Sequence, residues 1–304
     1  MATSIDPYLI EHCESLTLPS SGWTLQGYSI AGVRTGFRIK EKKILLDAGV
    51  ACDAKNSVVF ITHAHTDHTL NLPVCCTPWR PIVAVCGLQA HDCLVGLMRA
   101  TQSMTDSGDD DLRSTIVFQL NASWGRPRDE GLVLPELKDM VVHTFPCYHT
   151  VECTAYGFSD VRKKLKPEFD DIAPRELGKL RKSGIEITET VQVPQLLFCG
   201  DTTVEFFEHA GEQVWVYPVI MVECTSIDPE AAEESRRRGH MNLGELRPFI
   251  MAHPEITFIL FHHSQRYSVQ EICERCRDMP NVVLWIGARY YDMKTFNTEQ
   301  NLTA

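Results

Sequence analysis

Short runs rich in Val, Ile, Leu and Phe recur at 24–31, 36–39, 43–47, 57–62, 81–85, 114–120, 140–145, 154–158, 195–199, 214–222, 256–261 and 282–286. Several are bounded by Gly, Pro, Asp or Asn, and the pattern predicts β-strands. Apolar positions at helical spacing predict helices over 88–100, 174–183, 228–238, 242–252 and 269–278. Asp228 before Pro229 and Glu230 reads as a helix start, because Asp can cap and Pro suits the first turn. Strand pairs with intervening helices predict packed sheets with helices outside them. No internal repeat is visible. The segment SMTDSGDDDLR at 103–113 reads as an exposed acidic loop, and 160–190 as an excursion from the core.

At 304 residues the chain suits one large α/β domain or two small ones, and it is read here as a single domain spanning 1–304. A hydrophobic content of 44% is enough for a sizeable core. The first residues lack both a basic stretch and an apolar stretch, so no secretory signal is expected. No apolar run approaches the roughly 18 residues that span a bilayer, so no membrane partner is expected either. The expectation is a soluble intracellular protein, with cytosol, nucleus and organelle undistinguished. In that setting the 12 scattered cysteines read as reduced core residues. The C-x-x-C at Cys273 and Cys276 falls in a helical segment without a second pair, and reads as an ordinary helix pair. The net charge of −11 argues against a surface that grips nucleic acid all round. A local basic stretch remains in Arg162, Lys163, Lys164, Lys166, Arg175, Lys179, Arg181 and Lys182, opposed by Glu168, Asp170, Asp171 and Glu176. It is either a solvated charged helix or a phosphate-binding surface.

The densest chemistry follows the apolar run at 58–61, where the chain reads His63-Ala-His65-Thr-Asp67-His68. Alternation in an extended segment aims His63 and His65 to one side, so both imidazoles can reach one ion. Asp67 and His68 come as the chain turns and offer ligands to a neighbouring ion. Imidazole and carboxylate suit zinc, manganese or iron, and the lack of thiolates argues against a closed structural zinc site. Further ligands must come from elsewhere, and three apolar runs end in suitable residues: His149, Asp201, and the adjacent His262 and His263. There is no nucleophile elbow, phosphate-binding P-loop or dinucleotide fingerprint. Trp79, Trp124, Trp215 and Trp285 read as core aromatics.

This arrangement, H-x-H-x-D-H with a later His, a Gly-Asp-Thr and a final strand-end His, resembles the metallo-β-lactamase superfamily. Within it the chain resembles ribonuclease Z, the tRNA 3′-processing endonuclease, on His262-His-Ser-Gln-Arg266-Tyr267, on Glu223-Cys-Thr225 and on Gly239-His240-Met-Asn. The resemblance implies an α/β fold, a four-layer αβ/βα sandwich of two mixed sheets with helices on the outer faces. It implies one ion held by His63, His65 and His149, a second by Asp67, His68 and His262, and Asp201 bridging; the Ser-x-Arg-Tyr spacing favours His262 over His263. Zinc is the first expectation, with manganese or iron as alternatives. It further implies precursor tRNA as substrate and a homodimer.

In that reading a pair of ions activates water for in-line attack on phosphorus. Asp67 orients the nucleophile, and His240, paired with Glu223, protonates the leaving oxygen. By spacing alone Glu223 would equally end a strand and His240 start a helix. Where the family carries a Gly/Pro-rich arm, this chain has the basic 160–190 segment, whose Lys163, Lys164, Lys166, Lys179 and Arg181 would grasp RNA phosphates. Arg266 and Tyr267 would contact a phosphate or brace their loop. Two other classes stay open: a hydrolase of this fold acting on a small phosphodiester, thioester or lactone, and a non-catalytic RNA- or protein-binding module.

Overall fold

The computed structural model describes residues 9–76, 81–105, 116–121 and 131–300. Trp79, Trp124 and most of the acidic 103–113 segment lie outside them; residues 103–105, expected in a loop, continue a helix.

Two seven-stranded sheets follow the chain in order. The first contains β1 (Ser15–Thr17), β2 (Thr24–Ile30), β3 (Arg34–Ile39), β4 (Ile44–Leu46), β5 (Val58–Phe60), β6 (Ile82–Gly87) and β7 (Ile116–Asn121). Strands β1 to β4 form an antiparallel meander, and β4 to β7 run parallel. The second contains β8 (Met140–Pro146), β9 (Thr154–Leu165), β10 (Thr188–Phe198), β11 (Val219–Glu223), β12 (Thr257–Phe261), β13 (Val282–Ile286) and β14 (Arg289–Asp292). There β9 is antiparallel to both β8 and β10, β10 to β13 are parallel, and β14 turns back on β13. Helices α1 (Thr66–Thr69), α2 (Leu72–Cys75) and α3 (Leu88–Thr105) accompany the first sheet. Helices α4 (Pro174–Lys182), α5 (Glu205–His209), α6 (Ala232–Arg237), α7 (Leu243–Ala252), α8 (Val269–Arg275) and α9 (Met293–Gln300) accompany the second.

The strand alternation explains the layering. Ile44, Leu46, Val58 and Phe60 face Phe158, Phe198, Met221, Ile259, Phe261 and Trp285 across the sheets, while Leu45, Val59 and Ile61 face outward onto Leu72, Ala90 and Leu94. In the second sheet Ile220, Val222, Phe258 and Leu260 face outward onto Phe206, Leu246, Ile250 and Ile272. Strands apolar on both faces therefore sit between a partner sheet and a helical layer, giving α, β, β, α. Phe37 anchors the inter-sheet layer edge-on to Phe261 at 5.4 Å and Trp285 at 5.3 Å between ring centroids, a favoured aromatic geometry.

Several elements differ from the sequence pattern. The 214–222 run becomes a strand only from Val219, because Pro218 precedes it. The 228–238 helix is a 3-10 turn at Pro229–Ala231 followed by α6, and the Asp228 side chain makes no capping bond. Cys273 and Cys276 are buried free thiols of the outer layer beneath the second sheet. Strands β9 and β10 continue past the sheet as a two-stranded ribbon: beyond Asp160, β9 pairs only with β10. No residue from 161 to 194 is buried, and α4 at its tip buries none. Among the described residues no helix is long and apolar enough to cross a membrane.

Candidate metal centre

Strands β5, β8, β10, β11 and β12 deliver functional side chains from their carboxyl ends, the edge where open α/β sheets gather ligands. His63 and His65 follow β5, and α1 begins immediately afterwards to present Asp67 and His68. His149 follows β8, Asp201 follows β10, Glu223 ends β11 and His262 follows β12. Among the described residues three groups have ligand atoms within 4.8 Å of one another: Asp201, His240 and His262, and two that share no residue, His63, His65, His149 and Asp201, and Asp67, His68 and His262. Asp201 lies between them, its carboxylate 3.7 Å from His63 Nε2, 4.0 Å from His149 Nε2, 3.3 Å from His68 Nε2 and 3.6 Å from His262 Nε2.

The backbone is shaped for this convergence. A Cβ at Gly49 would fall 1.7 Å from the carbonyl oxygen of Asp67, so only glycine lets the 47–49 turn lie against the ligand loop. His262 holds φ at 62° and Asp47 at 57°, left-handed values that β-carbon sterics disfavour. Ser29 Oγ fixes the first by accepting from the His262 N–H at 3.0 Å. Strain of this kind persists where the surroundings impose it, and it concentrates at functional sites.

Around the cluster four rings, those of His63, His68, His149 and His262, have a partner on their other nitrogen, as metal-binding histidines commonly do. His68 Nδ1 donates to Asp47 Oδ2 at 2.8 Å and His149 Nδ1 to the Gly239 carbonyl at 2.7 Å. His63 Nδ1 is 3.0 Å from Thr62 Oγ1, which itself donates to Asp47. Asp67 Oδ2 accepts from the Gly32 N–H at 3.0 Å. Burial opposes ionisation of Asp67, but the hydrogen bond to His262 and the charges of His68 and His262 outweigh it, and its pKa falls to about 2. Asp201 is likewise desolvated, yet His262, His68 and His63 hold it well below the usual carboxylate range. Burial and the nearby His68 push His63 well below an ordinary imidazole.

His63 Nε2 is fully buried with no hydrogen-bond partner. An orphaned buried nitrogen costs about 1–3 kcal/mol, which a cation at that point would offset. Imidazoles and carboxylates without thiolates are the donor set of a divalent-cation site. Cys153 Sγ approaches His63 from its Nδ1 side, at 3.8 Å.

Glu223 and His240, separated in sequence by a loop and α6, meet at the site: Nδ1 of His240 donates to Glu223 Oε1 at 2.8 Å and lies 3.8 Å from Asp201. Burial would lower the His240 pKa, but the Glu223 carboxylate overrides it and raises it to about 9. A cavity of about 220 Å³ opens beside His240, lined also by Gly32, Thr225, Arg238, Ser264 and Arg266. Arg266 is exposed and donates to Ser264 Oγ at 3.2 Å. Tyr267 braces its loop, its hydroxyl 3.2 Å from Ser226 Oγ and its ring against the core. His263 stays outside the cluster: its Nε2 donates to the Leu260 carbonyl at 3.2 Å, and burial lowers its pKa to about 4.

The basic residues lie elsewhere. Lys163 and Lys164 sit on the outer part of β9, Lys166 follows it, and Lys179 and Arg181 are on α4. Nine residue steps along β9 lead from Thr154, next to the site, to Lys163, which is roughly 30 Å of extended chain. Sequence reasoning missed Asp47, Thr62 and Thr225; the signal available was an Asp directly after the apolar Ile44–Leu46 run and threonines beside the ligand histidines.

No family model matches the chain. It is 28% identical over 265 residues, 83% of this chain and 70% of the other, to a chloroplastic tRNase Z of Arabidopsis thaliana. It is 25% identical over 269 residues, 85% and 91% of the two chains, to a second Arabidopsis thaliana tRNase Z. The crystal structure of the short form of human tRNase Z superposes with a TM-score of 0.52 at 15% identity, covering 88% of this chain and 98% of that one. The chain has the metallo-β-lactamase αβ/βα fold and is similar to ribonuclease Z proteins.

Proposed function

We propose that this chain is a metal-dependent phosphodiesterase, an endoribonuclease that removes the 3′ trailer from precursor tRNA. It would carry two divalent ions, with zinc the first candidate, and work as a homodimer. The observation that carries this reading is the Glu223–His240 pair at 2.8 Å beside Asp201, a proton donor placed next to the ligand cluster. The likeness to tRNase Z proteins over most of the chain supports it.

His63, His65 and His149 would hold one ion, Asp67, His68 and His262 the other, with Asp201 shared. When bound, such ions supply Lewis acidity toward the phosphate oxygens and make a water acidic enough to attack phosphorus. Asp67, held ionised, accepts a hydrogen bond from the attacking water and orients it. Cleavage leaves charge on the departing ribose oxygen. His240, protonated at neutral pH and held by Glu223 through Nδ1, has Nε2 left to give that oxygen a proton. Arg266, on the rim of the 220 Å³ cavity beside His240, would contact a phosphate or sugar of the leaving side. Lys163, Lys164, Lys166, Lys179 and Arg181 would hold the RNA body. Because the arm lies roughly 30 Å along the strands from the cluster, only a macromolecular substrate can use both.

The test offers zinc- or manganese-loaded protein a 3′-extended tRNA alongside chromogenic phosphodiesters, thioesters and lactones. Endonucleolytic release of an intact trailer is expected. Turnover confined to the small compounds would replace this reading with a small-molecule hydrolase.

A further inference from the structure

Two buried carboxylates organise the site in the same way. Asp47, at the end of β4, takes the Nδ1–H of His68 directly at 2.8 Å and reaches His63 through Thr62, whose Oγ1 is 3.0 Å from Asp47 Oδ2 and 3.0 Å from His63 Nδ1. Glu223, at the end of β11, takes the Nδ1–H of His240 directly at 2.8 Å and reaches His262 through Thr225, whose Oγ1 is 2.6 Å from Glu223 Oε2 and 3.0 Å from His262 Nδ1. Each carboxylate thus serves two histidines, one directly and one through a threonine hydroxyl. In the first sheet both histidines belong to the ligand cluster. In the second, one is the cluster residue His262 and the other is His240.

A hydroxyl carries a single proton, and the 2.6 Å approach to a carboxylate claims it over the His262 carbonyl at 3.1 Å. Thr225 Oγ1 must then accept from His262, which places a proton on His262 Nδ1 and reserves Nε2, 3.3 Å from Asp67 and 3.6 Å from Asp201, as the nitrogen whose lone pair a cation there would take. The backbone agrees, since Thr225 N–H also donates to Glu223 Oε2 at 3.1 Å and fixes the threonine beside the carboxylate. The chain of bonds runs His262 Nδ1–H to Thr225, Thr225 O–H to Glu223, and His240 Nδ1–H to the same Glu223.

We infer that Thr225 is a positioning residue that sets the tautomer of His262 for cation binding and ties that histidine to the proton donor His240 through their shared carboxylate. The inference rests on the metal reading above. Removing the hydroxyl should weaken the ion at His262 and loosen His240 together, whereas any hydroxyl at 225 should preserve both.

The experiment compares wild-type protein with Thr225→Val, which keeps the shape, Thr225→Ala, and Thr225→Ser, which keeps the hydroxyl. Zinc affinity is read by competition with a chromophoric chelator, and the His262 tautomer from ¹⁵N-histidine correlation spectra of the zinc-loaded proteins. Val and Ala are expected to lose about 10–100-fold in affinity for one of the bound ions and to lose the protected Nδ1–H signal, with Ser retaining both. They should also lower kcat more than they raise KM. Undiminished zinc affinity and an intact Nδ1–H signal in the Val or Ala protein would overturn the inference, as would a Ser protein as impaired as Ala. If Val fails to fold, the Ala–Ser comparison decides alone. Wild-type protein that takes up no zinc would remove the metal reading itself, an outcome distinct from equal binding by wild type and variants.

Discussion

Replacing Asp201 by Asn removes one negative charge from between the two ligand groups and leaves the side-chain volume almost unchanged. The carboxylate sits 3.3–4.0 Å from the ring nitrogens of His68, His262, His63 and His149 and is buried, so bulk water does not screen it. At an effective dielectric of about 20, unit charges about 4 Å apart interact by about 4 kcal/mol, and a doubly charged ion held directly gains more. With a factor of ten for each 1.4 kcal/mol, the variant should lose on the order of 10³-fold in cation affinity or more. At zinc about 1,000-fold above the wild-type Kd, binding stabilises the folded state by about 4 kcal/mol. For a chain of 304 residues that raises the melting temperature by roughly 6 °C. The assay is thermal unfolding with and without zinc, paired with elemental analysis. Wild-type protein should show the full zinc-induced shift and Asp201→Asn little of it, each measured against its own metal-free form. A variant that keeps both the shift and the zinc content would refute the shared-ligand argument.

The proton-donor assignment predicts that His240→Ala lowers kcat about 10²–10⁴-fold while zinc content stays unchanged. The acid form of His240 is the active one, so turnover should fall as pH rises through about 9; in Glu223→Gln, without the raising carboxylate, the fall should come at lower pH, and an unmoved alkaline limb would discount the pair. Gly49→Ala forces a Cβ into the Asp67 carbonyl, so zinc affinity should drop although the new side chain bears no charge; zinc titration checks it. Charge reversal of Lys163, Lys164 and Lys166 should weaken precursor-tRNA binding and flatten its salt dependence by about one unit of slope for each lysine–phosphate pairing removed, while hydrolysis of a small chromogenic phosphodiester stays constant.

The layering was legible because alternation in Ile44–Leu46, Val58–Phe60, Val219–Glu223 and Thr257–Phe261 leaves apolar side chains on both faces, a pattern only a strand between a sheet and a helical layer can use. The crowding of His63, His65, Asp67 and His68 at one sheet edge was legible because three imidazoles and a carboxylate fall within six residues directly after a strand. The outer ribbon was not: beyond Asp160 its residues are solvated on both faces, so β9 and β10 are held by backbone pairing, which leaves no hydrophobic period. Helices α1, α2 and α5 span only four or five residues, too few to establish one. Asp47 was silent because a lone Asp after a strand reads as a turn; its role depends on the parallel pairing of β4 with β5, which brings it under Thr62 and His68. The meeting of Glu223 with His240 likewise depends on how the loop and α6 fold back, which neither residue's neighbours encode.

The most direct test of the account is an anomalous difference map from crystals of the zinc-loaded protein, collected on both sides of the zinc absorption edge. Two peaks are expected flanking Asp201, one among His63, His65 and His149 and the other among Asp67, His68 and His262. A map without peaks there, or with zinc bound only at other residues, would contradict it.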